Sequence, residues 1–596
     1  MRKRFKKTAA ILMCAATVLS LAACQGGGDQ GADSTKEEGQ VSQSGTESQN
    51  GAEDQSEAEN VSEPAESGEI TTLTCYFQNG NNGVERYPWF ENYLGEHLGI
   101  FLESRIQTTD GSILAPMLAS GELTDIIEIG QKVDVTSAIS GGMLLDLEAH
   151  KDQLPHIFGN EKYQKAIEYA KDTFGGLYVM PMVIGENRSI VVDPQMRWDL
   201  YKKLGMPEMP DMYGMLDVLK QMQEMEPETA DGMPVYGLGA FNDWDANAMM
   251  YCAYSTYMMP MGYVMEGLSW LAYMDYDGSG EVRYLLEDDS VYKEALQWLY
   301  TANQMGLLDP ESATMNYEGY MAKAGNAQYL STTWDWFSYG DPDAKESEEW
   351  WGHASVWPEN LRVPVNPERP VGHPQRFIGI GADCADIDKA LAFLDWYYSD
   401  EGIDLLYNGP EGMLWEYDEN GKKIFSDLYY ENDYLGNAYE HPEGGKVMGV
   451  AEFNWDIAVH PSAKTENGQC YNLTGDSYAK VKHVKTKLQE DFIENNGGYE
   501  SRFERAEAEG KNLIATDPVL SFVAPAPDDI EEIRGQIGEI VVQNSWKMVY
   551  AKDQAEFDAL WIQTQADAEA LGGQQVFEDV VARWNEAKEI SKKYLE

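Results

Sequence analysis

Three short segments place aromatic rings or side-chain amides beside other polar groups, at positions that follow strand-like runs. They are Asp243-Trp244-Asp245, Trp334-Asp335-Trp336 and the asparagines Asn79, Asn81 and Asn82. A flat ring can stack on the apolar C–H face of a sugar, and carboxylates and amides can hydrogen bond to its hydroxyls. These residues are therefore our candidate ligand-binding residues, with a neutral carbohydrate as the candidate ligand. The alternatives are that the tryptophans pack in the core and that the asparagines only shape a turn.

Catalytic and metal-binding motifs give no comparable signal. The chain contains no H-E-x-x-H, P-loop or G-x-S-x-G sequence. Residues 275–280 begin like a calcium loop, but its closing acid should fall at Leu286, so a hairpin turn is the favoured interpretation. We predict no catalytic residue, no metal and no cofactor. The paired carboxylates of a glycoside hydrolase have no motif, so that alternative stays open.

The charge balance narrows the choice of partners. The chain has 44 Lys+Arg against 101 Asp+Glu, a formal net charge of −57. Such a surface repels phosphate backbones, which argues against a nucleic-acid partner. It also disfavours anionic ligands unless basic side chains gather locally, and the sequence shows no clustered basic pocket.

The elements that must position these residues follow an alternating pattern. Strand-like runs at residues 71–77, 100–106 and 125–129 are separated by helical patterns at 89–98 and 113–120. This order predicts an α/β fold with a doubly wound parallel sheet. Ligands of such sheets bind beyond the carboxyl ends of the strands. The expected binding loops are therefore residues 78–82 and Gly130-Gln131-Lys132.

A second α/β run begins near residue 185. We expect helices at residues 193–204, 212–225 and 292–303, with short strands at 235–238 and 328–330. Residues 69–596 exceed one ordinary core, so two lobes with a ligand cleft between them are expected. The first lobe should comprise about 69–184 plus about 350–400, and the second about 185–335 plus the C-terminal segments.

The N-terminal residues predict export and a lipid anchor. A cluster of Arg and Lys precedes an apolar run that ends in Leu21-Ala22-Ala23-Cys24. This sequence resembles the lipobox of bacterial lipoproteins, which implies cleavage after residue 23 and a lipid on Cys24. Residues 24–68 are rich in Gly, Ser, Glu and Asp, so we predict a disordered linker. No later apolar run approaches the length of a membrane span, so the lipid is the expected membrane attachment.

Four further cysteines lie far apart in the sequence. Since no C-x-x-C pair exists, a zinc site is not expected. Export permits disulfides, but scattered cysteines in a large core are typical of buried thiols. We predict that the four stay reduced: Cys75, Cys252, Cys384 and Cys470.

Several segments resemble the extracellular solute-binding proteins of ABC importers, and in particular the large oligosaccharide-binding lipoproteins of Gram-positive bacteria. Residues 196–210 resemble the R-x-D-W-L-x-K-L-G-x-x-x-P helix of that family through Arg197, Asp199 and Gly205. Residues 395–415 resemble its Y-x-x-S-x-E-G helix and the turn that follows. Residues 175–184 and 541–566 resemble its exit strand and its C-terminal helices.

The resemblance implies a two-lobed periplasmic-binding-protein-like fold with a hinge of crossing segments and a cleft that closes on one ligand. It also implies that Trp334 or Trp336 lies where the chain crosses between the lobes. The expected function is capture of a carbohydrate, with an oligosaccharide favoured, on the extracellular face of the cell membrane and its delivery to ABC importer permease subunits. A peptide-binding receptor of the same plan and a surface glycoside hydrolase are the alternatives.

Overall fold

The computed structural model describes residues 70–78, 86–105, 113–185, 190, 192–242, 252–265, 267–275, 281–334, 340, 351–365, 368–431, 439–448, 457–480, 485–514 and 517–595. They belong to one compact unit, Glu66–Glu596. Cys24 and the linker lie outside these ranges, as do the other candidate residues Asn79, Asn81, Asn82, Asp243, Trp244, Asp245, Asp335 and Trp336. Within the described ranges, no helix combines the length and apolarity needed to cross a membrane.

The strands are short and spread over the whole unit. In chain order the described strands are β1 (Thr71–Tyr76), β2 (Ile100–Ser104), β3 (Ile126–Ile129), β4 (Val179–Pro181), β5 (Gln195–Arg197), β6 (Tyr263–Val264), β7 (Ala272–Asp275), β8 (Val282–Tyr284), β9 (Ser331–Thr332), β10 (His353–Ser355), β11 (Val363–Val365), β12 (Phe377–Ile380), β13 (Trp415–Tyr417), β14 (Lys423–Phe425) and β15 (Asn512–Ile514).

The helices become longer towards the C-terminus. The described α-helices are α1 (Pro88–His97), α2 (Leu114–Ser120), α3 (Lys132–Ser140), α4 (Pro155–Phe158), α5 (Gln164–Phe174), α6 (Trp198–Lys203), α7 (Met212–Met225), α8 (Val291–Gln304), α9 (Tyr317–Gly325), α10 (Ile387–Tyr397), α11 (Asp400–Asn408), α12 (Asp427–Glu431), α13 (Lys487–Asn495), α14 (Arg502–Ala508), α15 (Asp528–Val549), α16 (Gln554–Leu571) and α17 (Gly573–Leu595).

A five-stranded sheet with the order β2-β1-β3-β12-β4 forms the centre of the first lobe. β1 pairs in parallel with β2 and β3, so the alternation predicted between residues 71 and 129 is confirmed. The sheet is mixed rather than wholly parallel, because β12 runs antiparallel between β3 and β4. Both faces are covered. Leu73 and Ile378 pack on the α1 and α10 side, whereas Ile127 and Phe377 pack on the α3 side.

The second lobe is organised around a larger core of helices. Buried side chains from α7, α8, α15 and α16 meet there, among them Leu219, Trp298, Val541 and Trp561. Burial of each such side chain contributes roughly 1.5–3 kcal/mol. The helix predicted at 212–225 has those bounds, and the one predicted at 292–303 is one residue longer at each end.

Three predictions for the second lobe were wrong. The helix expected from residue 193 begins only at Trp198, because β5 pairs with β9 and β10 instead. Residues 235–238 make only single bridges, from Tyr236 and Leu238. Residues 351–363 pack in the second core rather than in the first lobe, since β10 is a partner of β5.

Two antiparallel crossing segments join the lobes. Gly185 is bridged to Arg369, and Ile190 is bridged to Val365. Ile184 lies in the core beside the sheet. Ile190 lies in the second core, as does Val363, which is two residues before Val365. Paired crossing segments of this kind are a natural place for a hinge, because they must bend when two lobes close.

The last helix, α17, contacts both lobes. Its beginning contributes Val576 to the second core, and its end contributes Ala587 and Tyr594 to the cluster on the α3 side of the sheet. Tyr594 Oη donates to Asp172 Oδ2 of α5 at 2.5 Å. Lys593 pairs with the same carboxylate. The helix therefore connects the two cores outside the crossing segments.

The four body cysteines contact groups other than sulfur. Cys75, Cys252 and Cys470 are buried, and Cys384 is half-buried. Cys75 Sγ lies 3.5 Å from Ser104 Oγ, and Cys252 Sγ donates to Phe241 O at 3.7 Å. That these cysteines stay reduced remains a prediction for the isolated protein.

Candidate functional site

A cavity of about 600 Å³ lies between the two cores. Its walls come from the start of α3, the turn before β7, the second crossing segment, the chain that leads into α15, and α17. The lining residues are Gln131, Lys132, Val133, Met259, Val264, Gly267, Ser269, Trp270, Arg369, His373, Pro374, Gln375, Leu520, Ser521, Val523, Ala524, Pro525, Ala526, Asp528, Glu531, Arg534 and Arg583. This volume is within the range of about 300–1,000 Å³ that is typical of ligand sites.

The first-lobe wall lies beyond the carboxyl end of β3, as the strand order predicts. Gln131 and Lys132 lie where the chain passes from β3 into α3. The loop is held from β1, because Gly130 N–H donates to Gln78 Oε1 at 2.6 Å. A side chain at residue 130 would approach Gln78 to 2.9 Å, so glycine permits this close contact. Gln78, just after β1, is therefore hydrogen-bonded to the loop after β3 that lines the cavity.

Trp270 supplies an indole ring to the opposite wall. The ring is half-buried and meets Tyr254 edge-on at 5.9 Å. Trp270 and Ser269 both have positive φ, 57° and 59°. Backbone of this kind costs of order 1–3 kcal/mol for a residue other than glycine, and such strain is concentrated at binding sites. The turn thus places Trp270 among the residues that line the cavity.

Arg583 of α17 fixes this turn to the rest of the wall. Its Nη2 donates to Ser269 Oγ at 3.0 Å, and its Nη1 donates to Ala524 O at 2.9 Å. Its Nε is paired with Asp579, one turn earlier on α17, at 2.6 Å. A guanidinium has five N–H groups, so two remain for another acceptor.

Lys132 is the most deeply buried cation of the lining. Its side chain is 9% exposed, and Nζ donates to Ser521 O at 2.5 Å and to Val523 O at 3.2 Å. The ring of Tyr169 lies 5.6 Å away. Burial lowers the pKa of Lys132 to about 8, because the charged form loses its hydration. At neutral pH the amine is still mostly charged.

Two carboxylates also line the cavity, both from the first turn of α15. Asp528 and Glu531 are three residues apart, which places them on one helix face. Glu531 is paired with Arg534 at 2.6 Å. One of the two carboxylates is therefore already neutralised by the lining itself.

Two half-buried histidines have lowered pKa values, His373 of the cavity lining and His460. Burial, and then the charge of Arg369, lower the pKa of His460 to about 3, and the same two causes place the pKa of His373 well below its usual value. His460 Nδ1 accepts Ser462 N–H at 3.1 Å, and His373 Nδ1 accepts Gln375 N–H at the same distance. Both rings are neutral at physiological pH, so neither contributes to the net charge of the cavity lining.

Trp334, the described member of its predicted segment, is 4% exposed and packs in the second core. It does not belong to the cavity lining. Thr332 and Thr333 before it line a separate space of about 20 Å³, which is large enough for a water molecule but too small for a sugar ring. Leu330 before Trp334 and Ala354 after it pack in the same core, whereas the described bridges between crossing segments join Gly185 to Arg369 and Ile190 to Val365.

Sequence reasoning missed Trp270, Arg369 and Arg583. Each is distant in sequence from the strand-end loops that it faces, and none stands in a polar motif. The available signal was Gly267-Leu268-Ser269-Trp270, a glycine-containing turn directly before a strand. The hairpin expected around residues 275–280 has its two strands in place, since β7 pairs with β8 with Met274 opposite Val282. In the described ranges, no group of three or more His, Cys, Asp or Glu could hold a metal ion.

Comparison with known proteins gives similarity in structure but not in sequence. No family model matches the chain, and no curated protein matches it. Among solved structures, the ABC-transporter substrate-binding protein FusA of Streptococcus pneumoniae has a TM-score of 0.57 at 14% identity, over 88% of this chain and 100% of that one.

Two further solved structures have a similar fold. An extracellular solute-binding protein from Bifidobacterium longum subsp. infantis has a TM-score of 0.54 at 16% identity, over 88% and 99% of the two chains. The N-glycan transport solute-binding protein NgtS of Streptococcus pneumoniae has a TM-score of 0.51 at 16% identity, over 87% and 99%. The predicted fold is confirmed: the chain has the two-lobed α/β fold of extracellular solute-binding proteins.

Proposed function

We propose that this protein is an extracellular receptor that captures an oligosaccharide between its lobes and delivers it to the permease of an ABC importer. The observation that carries the proposal is the cavity of about 600 Å³ between two cores joined by paired crossing segments. A ligand that contacts both walls stabilises the closed form over the open one, which is how such a receptor signals occupancy.

The lining favours a sugar over a peptide. The indole of Trp270 offers a flat apolar face, and Gln131, Ser269 and Gln375 offer donors and acceptors for hydroxyls. The similar structures support the same class of ligand, because FusA was solved with fructo-nystose and NgtS is described as an N-glycan transport protein. The candidate residues Asn79, Asn81, Asn82, Asp243, Trp244, Asp245, Trp334, Asp335 and Trp336 remain proposals for further contacts.

Calorimetric titration with an oligosaccharide panel tests the proposal, with Trp270→Ala beside the wild type. Loss of a stacking face should weaken binding about tenfold to a hundredfold, which corresponds to roughly 1–3 kcal/mol. Trp351→Ala is the matched control, since Trp351 is also half-buried but lies outside the cavity lining. Equal weakening by both variants, or no binding of any oligosaccharide by the wild type, contradicts the proposal.

The two alternatives predict different products and ligands. A glycoside hydrolase would use two carboxylates, and Asp528 and Glu531 are the described pair in the lining. We propose that they do not catalyse, so oligosaccharides incubated with the protein should be recovered intact by chromatography. Hydrolysis products would support the enzyme, and tight binding of peptides in the same panel would support the peptide receptor.

We also propose that lipid on Cys24 anchors the protein to the outer face of the cell membrane. The support is the positive cluster, the apolar run and Leu21-Ala22-Ala23-Cys24. Cys24→Ala should release the protein into the medium or leave it unprocessed, which membrane fractionation checks. A variant that is processed and membrane-bound like the wild type contradicts the anchor but leaves the receptor proposal standing.

A further inference from the structure

The cavity reverses the charge balance of the chain. Over the whole sequence, acidic residues outnumber basic ones by 101 to 44. Among the described residues that line the cavity, four are cationic, Lys132, Arg369, Arg534 and Arg583, and two are acidic, Asp528 and Glu531. The sequence shows no basic cluster because these four cations come from α3, the second crossing segment, α15 and α17.

Lys132 is the informative member of the four. Its ammonium is buried, and its contacts in the described structure are two backbone carbonyl oxygens and the ring of Tyr169, with no carboxylate among them. A buried charge without a counter-charge is costly, and the usual remedy in proteins is a partner of opposite sign. Two carbonyls use two of the three N–H groups, so one remains for an acceptor in the cavity.

Arg583 also lines the cavity, and unlike Lys132 it already has a carboxylate partner. Its pairing with Asp579 satisfies Nε, while Nη1 and Nη2 contact a carbonyl and a hydroxyl. A planar guanidinium fits a carboxylate better than it fits a single hydroxyl, since two parallel hydrogen bonds can form. The two remaining N–H groups of Arg583 therefore favour a ligand with a charged oxygen pair.

We propose that the cavity is built for an acidic oligosaccharide, whose carboxylate completes the charge of Lys132 while Trp270 stacks on a neighbouring ring. The proposal rests on the proposed receptor function and adds the chemical class of the ligand. A neutral sugar would leave the ammonium of Lys132 dehydrated and without a counter-charge when the cavity is filled. An acidic sugar supplies the counter-charge in the act of binding.

Matched ligands test this inference on the wild-type protein. Calorimetry with 3′-sialyllactose beside lactose, and with trigalacturonate beside its methyl ester, compares carboxylated sugars with neutral counterparts. At least one carboxylated member should bind more than tenfold tighter than its counterpart, and added salt should weaken the binding of that member alone. Lactose 3′-sulfate separates the two kinds of anion, and a preference for it over 3′-sialyllactose overturns the assignment of a carboxylate.

Variants then locate the preference. Lys132→Met should reduce the preference for the acidic member, measured as the ratio of the two affinities, to less than about threefold. The matched control is Lys165→Met, because Lys165 also donates to a backbone carbonyl, Tyr594 O, but lies outside the cavity lining. If Lys132→Met does not fold, the salt dependence of the wild type decides.

The outcomes separate the two proposals. If neutral members bind as tightly as their acidic counterparts, the acidic class is wrong while the receptor stands. If no member of either class binds, the receptor proposal fails as well.

Discussion

Arg583 Nη2 and Ser269 Oγ are 3.0 Å apart, although 314 residues separate them in the sequence. The contact joins the last helix to a turn whose two central residues have positive φ. A side chain from the far end of the chain thus contacts the turn in which Ser269 and Trp270 have positive φ. A substitution of Arg583 on α17 can therefore test whether this contact positions the Trp270 ring.

Arg583→Ala should therefore affect stability and binding together. Loss of three hydrogen bonds made by a charged group should lower the free energy of unfolding by roughly 2–4 kcal/mol, and release of the turn should weaken oligosaccharide binding at least about tenfold. Thermal melts and calorimetry measure the two effects. Lys592→Ala is the control on the same helix, since its pair with Glu589 is exposed and should contribute less than about 0.5 kcal/mol.

His460 should make the fold sensitive to acid. Its pKa is about 3 in the folded protein but about 6.5 when unfolded, so the unfolded state binds the extra proton below pH 6.5. Its contribution to stability is complete above pH 6.5 and is lost as the pH falls towards 3, by roughly 2 kcal/mol between pH 7 and 5. His460→Asn keeps an acceptor for Ser462 N–H but does not titrate. Denaturant unfolding of both proteins at each pH should show the smaller loss for the variant, and parallel curves would contradict the assignment.

Lys132 should show the same trend as His460, but at high pH. Its folded pKa of about 8 lies below the unfolded value of 10.5, so the unfolded state binds more protons between these values and stability rises with pH. Relative to Lys132→Met, the wild type should gain roughly 2 kcal/mol between pH 7 and 10. Melting temperatures of the two proteins across this range provide the measurement. A constant difference would mean that the amine is not desolvated in the fold.

Trp334 and Trp270 should respond differently to truncation. Trp334 is 4% exposed and packs in the second core, so Trp334→Ala should cost roughly 3–5 kcal/mol of stability. Trp270→Ala should cost less than that and act mainly on binding. Unfolding and binding measured for both variants compare the two sites. Normal stability together with lost binding for Trp334→Ala would place Trp334 in a ligand site after all.

Local patterns predicted much of the fold but only half of the cavity. The first three strands and the helix at Met212–Met225 follow from periodicity, because their apolar faces are set by neighbours in sequence. β5 was mistaken for helix because its partners β9 and β10 lie more than a hundred residues further on. The insertion of β12 between β3 and β4 left no local mark for the same reason.

The residues that line the cavity likewise fall into those that local sequence patterns predict and those that they do not. Gly130-Gln131-Lys132 could be found from the rule for strand ends, since the rule needs only one strand and the loop after it. Trp270, Arg369 and Arg583 could not, because their meeting is a product of the tertiary fold. The basic character of the lining was invisible for that reason, and an overall charge of −57 pointed away from it.

Because α17 packs against both cores, folding of the two lobes cannot be complete before the end of the chain has been synthesised. A nascent chain that lacks residues 573–595 has neither the Val576 contact of one core nor the Tyr594 contact of the other. The central sheet is likewise open until β12 arrives, some two hundred residues after β4. Such distant contacts make folding slow and favour its completion after synthesis. Ribosome-bound chains that lack residues 573–595 should thus stay protease-sensitive.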